Sequence, residues 1–209
     1  MSPTAVGEGR ILVAAALRQE ISPRFNSLPA GADLLFTGVG KGRAGAAVSR
    51  ALGQGGYTLV VSAGFAGGAS AGLRAGELVA ATEVIDLASQ KRFIPSGKAP
   101  ASFPGGRWIT VDQAVVEPKA KEELGRRFQA KALEMESSAV AQAADEAGVA
   151  WAGLRSILDP MEERLAVPSA AWALQRMLRP SFWAELSRFL ATLRRAREGL
   201  TAGIVQLLN

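Results

Sequence analysis

Apolar and polar positions follow two rhythms along the chain. Near-continuous apolar runs lie at 10–17 (RILVAAAL), 32–39 (ADLLFTGV), 58–64 (TLVVSAG), 77–87 (ELVAATEVIDL), 107–116 (RWITVDQAVV) and 149–158 (VAWAGLRSIL). Runs of this kind predict strands, several of them buried on both faces. Between them, helical spacing predicts helices over Gly42–Leu52, over Lys119–Phe128 behind Pro118, and over Ser137–Ala147, stopped by Gly148. Alternating β and α elements predict an α/β fold with a mostly parallel sheet covered by helices. The stretch 94–106 (IPSGKAPASFPGG) reads as a surface excursion, mobile or covering a site. With no repeat and no linker in view, residues 1–209 read as one domain with a distinct helical region over about 169–209.

In that last region Phe182, Trp183, Leu186, Phe189, Leu190 and Leu193 recur at helical spacing. Arg188, Arg194, Arg195 and Arg197 lie largely elsewhere on the wheel. Two readings stand: a helix docked on the domain or on a subunit neighbour, or a basic amphipathic helix touching an anionic membrane.

Composition narrows the chemistry. The 209 residues, 48% hydrophobic and 21% charged, suffice for one sizeable core. There is no cysteine and no histidine. Disulfides, thiolate nucleophiles, Ser-His triads, His-ligated zinc and imidazole acid–base catalysis are therefore excluded, leaving carboxylates, lysine, tyrosine or bound water to move protons. The net charge of +5 is concentrated late in the chain, where six arginines between Arg176 and Arg197 face the single Glu185. That distribution gives no reason to expect a nucleic-acid partner. No run reaches the roughly 18 apolar residues of a membrane span, and the first residues lack signal-peptide character, so a cytoplasmic protein is expected.

Gly40-Lys41-Gly42-Arg43-Ala44-Gly45 fits G-x-G-x-x-G, but a dinucleotide site needs an acid roughly 20 positions on, at the end of the next strand. That strand ends in VVSAGFAGG, without Asp or Glu. A Walker loop fails as well, since Gly42 rather than Ser or Thr follows Lys41. Glycines that turn a strand tightly into a packed helix are the better account. A second cluster, Gly64–Gly68, reads as a loop with accessible backbone N–H groups. Acids then fall at telling places: Glu20 past the first strand, Glu136 at a helix start, Asp159 at the end of the last strand. Each has a plain alternative as a solvated, helix-favouring or turn residue. Ligands of open α/β sheets bind outside the C-terminal strand edges, so the three are expected to gather at one edge.

The segments ILVAAALRQEI (11–21), FTGVGKGRA (36–44), VVSAGFAGGASAGLRAGELVAATEV (60–84), ALEMESSAVAQAADEAGV (132–149) and GLRSILDP (153–160) resemble, in order, the nucleoside phosphorylase and nucleosidase superfamily. The resemblance implies a three-layer αβα fold around a mixed, mostly parallel sheet, and cleavage of a purine N-glycosidic bond. It implies Asp159 as the acid assisting the departing purine and Glu20 as the carboxylate activating water. Glu136 would hold the ribose hydroxyls, with Met135 against the sugar. Phe65, Ala66 and Gly67 would lie beside the sugar and nucleophile, and Ala114 and Val115 would line the base pocket. Arg43 and Arg155 are the candidates for binding phosphate, the co-substrate of the phosphorolytic alternative. No metal or other cofactor is implied, and at least a dimer is. Leu158 and Phe65 depart from the small polar residues common at their positions. The shortened middle, 110–141, resembles the hopanoid-associated branch, which implies release of adenine from adenosylhopane, a lipid-linked nucleoside, with peripheral contact to the inner membrane face. Methylthioadenosine, S-adenosylhomocysteine or futalosine hydrolysis, phosphorolysis of ordinary nucleosides, and nucleoside binding without catalysis are the alternatives.

Overall fold

A computed structural model describes residues 9–23, 28–97, 102–164 and 180–208, with side chains from Leu186 onward in the last stretch. The strands are β1 (Arg10–Ala15), β2 (Ala32–Phe36), β3 (Tyr57–Gly68), β4 (Leu78–Asp86), β5 (Arg92–Phe93), β6 (Gly105–Thr110), β7 (Ala130–Glu134) and β8 (Ala150–Asp159). The helices are α1 (Lys41–Leu52), α2 (Pro118–Phe128), α3 (Ser137–Glu146) and α4 (Pro180–Leu208), and a short 3-10 turn spans Arg18–Glu20. The strands form one sheet in the order β2-β1-β3-β7-β6-β4-β5, with β8 pairing both β3 and β4. The β1–β2, β1–β3, β3–β8, β4–β6 and β6–β7 pairs are parallel, and β3–β7, β4–β5 and β4–β8 antiparallel. This is the mixed, mostly parallel three-layer arrangement that the alternation of elements and the resemblance lead to expect. Strands β3, β7, β6, β4 and β8 pair in a closed circuit, which removes most free edges.

The apolar runs are continuous because both faces of the sheet are covered. Side chains alternate along a strand, so Leu12 and Val60 join Val48, Val140 and Trp151 beneath α1 and α3. Their neighbours Val13 and Val61 join Leu154, Leu200 and Ile204 beneath α4. Ala196, Leu200 and Ile204, four residues apart, are buried, and Thr201 Oγ1 accepts from the Ser22 amide at 3.0 Å. The second half of α4 is thus docked on the domain. Leu190, expected on the apolar face, is 52% exposed, while Leu186, Phe189 and Leu193 are half-buried. The side chains of Phe182 and Trp183, and Arg176 and Arg179, lie outside the described residues. Among the described residues no helix is long and apolar enough to cross a membrane.

Two expectations need correction. The run 107–116 is strand only to Thr110, because Asp112 turns outward to pair with Lys41 at 2.8 Å and the chain then loops to Pro118. The cluster Gly64–Gly68 is no loop: β3 continues through it, pairing Gly67 with Leu133 of β7 and with Asp159 of β8. Of the excursion at 94–106, residues 98–101 lie outside the described residues, while Gly97 donates to the Trp151 carbonyl at 2.8 Å.

Helix α2 crosses the end of β3 so closely that a Cβ on Gly125 would stand 1.7 Å from the Ala69 carbonyl oxygen. Alanine ordinarily stabilises a helix interior over glycine by roughly 0.5–1 kcal/mol. Here backbone overlap reverses the sign: Gly125→Ala should destabilise by about 1–3 kcal/mol, read as a lower denaturation midpoint. A midpoint equal to or above the wild type would disprove this packing.

Candidate active site

The centre of the molecule holds a buried guanidinium. Arg155, on β8 and 2% exposed, donates from Nη2 to Glu134 Oε2 at 2.7 Å, Ser137 Oγ at 2.9 Å and Ser62 Oγ at 3.3 Å. Its guanidinium also lies over the Trp108 ring, 5.6 Å from the centroid. Glu134 closes β7 and is saturated: besides Arg155, the amides of Glu136 and Ser137 donate to Oε2 at 3.0 and 2.8 Å, and the Thr110 hydroxyl donates to Oε1. Burial pushes its carboxyl up, but Arg155 and these donors outweigh burial and hold it below the ordinary carboxylate range. Glu134 therefore fixes the start of α3 and the charge of Arg155.

Glu136, next but one along the chain, is left with capacity to spare. Its Oε1 accepts from the Gly40 amide at 2.8 Å, and its Oε2 stands 3.8 Å from Arg155 Nη2. Burial raises its pKa to about 7, Arg155 pulling down against the repulsion of Glu134. The glycine-rich turn before α1, with Gly38 and Gly40 at positive φ, thus offers its N–H to a carboxylate of the same chain. Glu20 approaches from the 3-10 turn after β1: Oε1 accepts from the Phe65 amide at 2.9 Å and Oε2 from the Leu17 amide at 2.8 Å. Burial raises its pKa, partly offset by the Phe65 amide and by Arg155.

The glycines of β3 make room for these groups. A Cβ on Gly64 would stand 2.6 Å from Arg155 Nη1 and 2.8 Å from Glu20 Oε1. On Gly68 it would press the backbone of Pro160 and Met161 at 3.3 and 3.1 Å. At Gly67 the hypothetical Cβ lies 3.5 Å from both carboxylate oxygens of Asp159, so the acid packs directly on the strand. Asp159 is buried at the end of β8, one bulge beyond Arg155, where the register shifts between Ala66 and Gly67. Burial raises its pKa to about 6, against the pull of a lysine that sequence reasoning did not single out, Lys121.

Glu20 and Glu136 therefore meet at Arg155, and Asp159 lies further along the same pair of strands. Ala66 is buried beneath α1 and α3, while Phe65 packs on the opposite core with Val13 and Ala15. Met135 and Val115 share a smaller cluster with Leu87. Ala114 is exposed on the loop before α2. Arg43 is exposed on α1, with its Cδ 3.0 Å from where a Gly38 Cβ would be, and Arg155 is enclosed by acids. A cavity of about 330 Å³ lies elsewhere, lined by Lys41, Asp86, Ser89, Lys91, Phe93 and Ser138 among others. Asp86 there is held at about 2: burial opposes, but Lys41 and the donors Ser89 and Ser138 prevail. A carboxylate so firmly ionised and paired is poorly suited to move protons, so we locate the candidate chemistry at the Arg155 cluster.

The sequence matches the family model of the phosphorylase superfamily over residues 34–105 and 96–179. The chain belongs to the phosphorylase superfamily. Its fold is that of the methylthioadenosine/S-adenosylhomocysteine nucleosidase of Neisseria meningitidis (19% identity, TM-score 0.74, covering 96% of this chain and 98% of that one). The corresponding Helicobacter pylori enzyme gives 19% identity and TM-score 0.70 over 95% of this chain and 99% of that one. The Helicobacter pylori futalosine hydrolase gives 20%, 0.68, 95% and 97%. No curated protein matches the chain.

The raised pKa of Glu136 has a consequence for stability. Its proton is held more tightly in the folded state, so its contribution is complete below the ordinary value of 4.5 and is lost as pH rises through about 7. Glu134, shifted downward, acts in the opposite sense and loses its contribution as pH falls. Glu136→Gln should therefore flatten the decline in urea-unfolding stability between about pH 4.5 and 7. Part of the slope remains, since Asp159 and Glu20 are shifted the same way. An unchanged slope would refute the assignment.

Proposed function

We propose that this protein is an enzyme that cleaves the N-glycosidic bond of an adenine nucleoside with water as nucleophile. The observation that carries the reading is charge: Glu20, Glu134 and Glu136 surround one guanidinium, and Asp159, with a pKa near 6, stands apart. Breaking the bond builds positive charge on the ribose and negative charge on the base. An anionic cluster stabilises the first, and an acid that keeps part of its population protonated near neutrality serves the second. Asp159 gives its proton to the departing purine. Glu136 accepts from the ribose hydroxyls, with Met135 against the sugar, and Glu20 takes a proton from water. Burial makes Glu20 a stronger base than a solvated glutamate. Phe65, Ala66 and Gly67 flank the nucleophile, and Ala114 and Val115 line the base side.

Water is preferred over phosphate because the carboxylates around Arg155 repel a second anion; of the two candidate arginines, Arg43 is the exposed one. No step calls for a metal or cofactor. The fold neighbours named above, nucleosidases and a futalosine hydrolase, support the same bond as the target. For the substrate we propose adenosylhopane, cleaved to adenine and ribosylhopane by a cytoplasmic homo-oligomer at the inner membrane face. Support comes from the shortened segment 110–141, from the exposed Leu17 and Val39 beside Glu20 and Gly40, and from the exposed Arg188, Arg194 and Arg195 of α4.

Free adenine should appear from adenosylhopane in anionic vesicles, more slowly from methylthioadenosine and futalosine, and equally with or without phosphate. Strict dependence on phosphate would replace hydrolysis by phosphorolysis. Asp159→Asn should slow adenine release by about 100-fold or more, the scale for losing a general acid. Undiminished turnover in that variant would remove Asp159 from its role, and binding without release in the wild type would make the chain a nucleoside-binding protein.

A further inference from the structure

Helix α2 reads PKAKEELGRRF, a polar helix whose lysines the sequence presents as solvated. Lys121 is the exception: its side chain is 0% exposed. The ammonium donates to Asp159 Oδ2, to the Pro160 carbonyl at 3.0 Å and to the Glu163 carbonyl at 2.6 Å. Its three N–H groups thus meet three acceptors. Burying an ammonium costs several kcal/mol after relaxation, and carbonyls alone would suffice to tie down the turn after β8. What distinguishes this lysine is the carboxylate.

We infer that Lys121 is a positioning residue of the cleavage site: its buried ammonium orients Asp159 and supplies the fixed positive charge against which that acid gives up its proton. The inference rests on the function proposed above. In the ground state Asp159 carries a proton. As the bond from C1′ to the purine breaks, its electron pair goes into the purine, the Asp159 proton moves to the purine nitrogen, and a carboxylate is left facing Lys121. Water supplies hydroxide to C1′, and its other proton goes to Glu20. The ion pair with Lys121 is therefore complete only after proton transfer, so its attraction favours the transition state and product over the ground state. Without that charge, burial alone would keep Asp159 protonated but a weak acid.

Each element packed on Asp159 presents few charges. α2 presents Lys121, the turn after β8 presents Glu163, whose charge opposes ionisation, and β3 presents Gly67 and Gly68. The test is the pH profile of adenine release. Lys121→Gln keeps an amide donor for Asp159 and removes the charge. It should move the alkaline limb of kcat/KM upward by about 1 pH unit or more, the scale of a lost opposite charge at contact distance. It should also lower kcat by about 10-fold or more with KM nearly unchanged. Lys121→Arg, where it folds, should return the limb toward the wild type. A limb that does not move, or a loss carried by KM alone, overturns the inference while leaving the cleavage reading intact. A wild type that releases no adenine sinks that reading first. Independently of whether any variant folds, the 15Nζ resonance of Lys121 in the wild-type protein should shift with the same midpoint as the 13C carboxyl signal of Asp159. An Nζ signal indifferent to that titration overturns the inference.

Discussion

The pairing of Arg155 with Glu134 holds the site together. A guanidinium taken out of water is tolerable only where opposite charge and hydrogen bonds replace its hydration. Here they come from three directions: Glu134 at the end of β7, Ser137 at the start of α3, and Ser62 on β3. Each partner is placed by a different stretch of backbone, so the ion pair and the crossing of β3, β7 and β8 require one another. Glu20 and Glu136 then lie in the field of a charge already largely spoken for, and their protons are held more tightly than those of solvated glutamates. Structure and candidate chemistry therefore share one electrostatic centre.

The two ends of the arrangement are kept apart electrically. At one end the acids outnumber the cation; at the other, Asp159 pairs with Lys121 within the shell of β3, β8 and α2, with Glu163 opposing more weakly. Cleavage of a glycosidic bond separates charge in that same sense. The bulge between Ala66 and Gly67 supplies the spacing between the ends.

Much of this was legible in the residues. The apolar runs located six strands because burial on both faces leaves no polar residue to interrupt them, and Pro118 and Gly148 marked a helix start and a helix stop through fixed chemistry. The α/β alternation gave the layers. Glu20, Glu136 and Asp159 stood out by their places, past the first strand, at a helix start and at the end of the last strand, in a chain that without His or Cys has few other proton carriers. What stayed hidden depended on long-range contact. The glycines at 64–68 looked like a loop, since nothing local tells a glycine that turns the chain from one that lets Glu20 and Arg155 lie against a strand. Lys121 looked solvated, since its acceptors lie 38 or more residues away. Glu134 and Glu136 looked alike in one short motif, and only the saturation of the first and the spare capacity of the second separate them.

A floor made of bare backbone also constrains how this protein can change over generations. Where Glu20 and Arg155 rest on Gly64, any larger residue displaces them, and at Gly68 it presses the turn after β8, so these positions of the strand have little freedom to drift. Change is freer to accumulate outside that floor, at the exposed Leu17, Val39, Asp112 and Ala114.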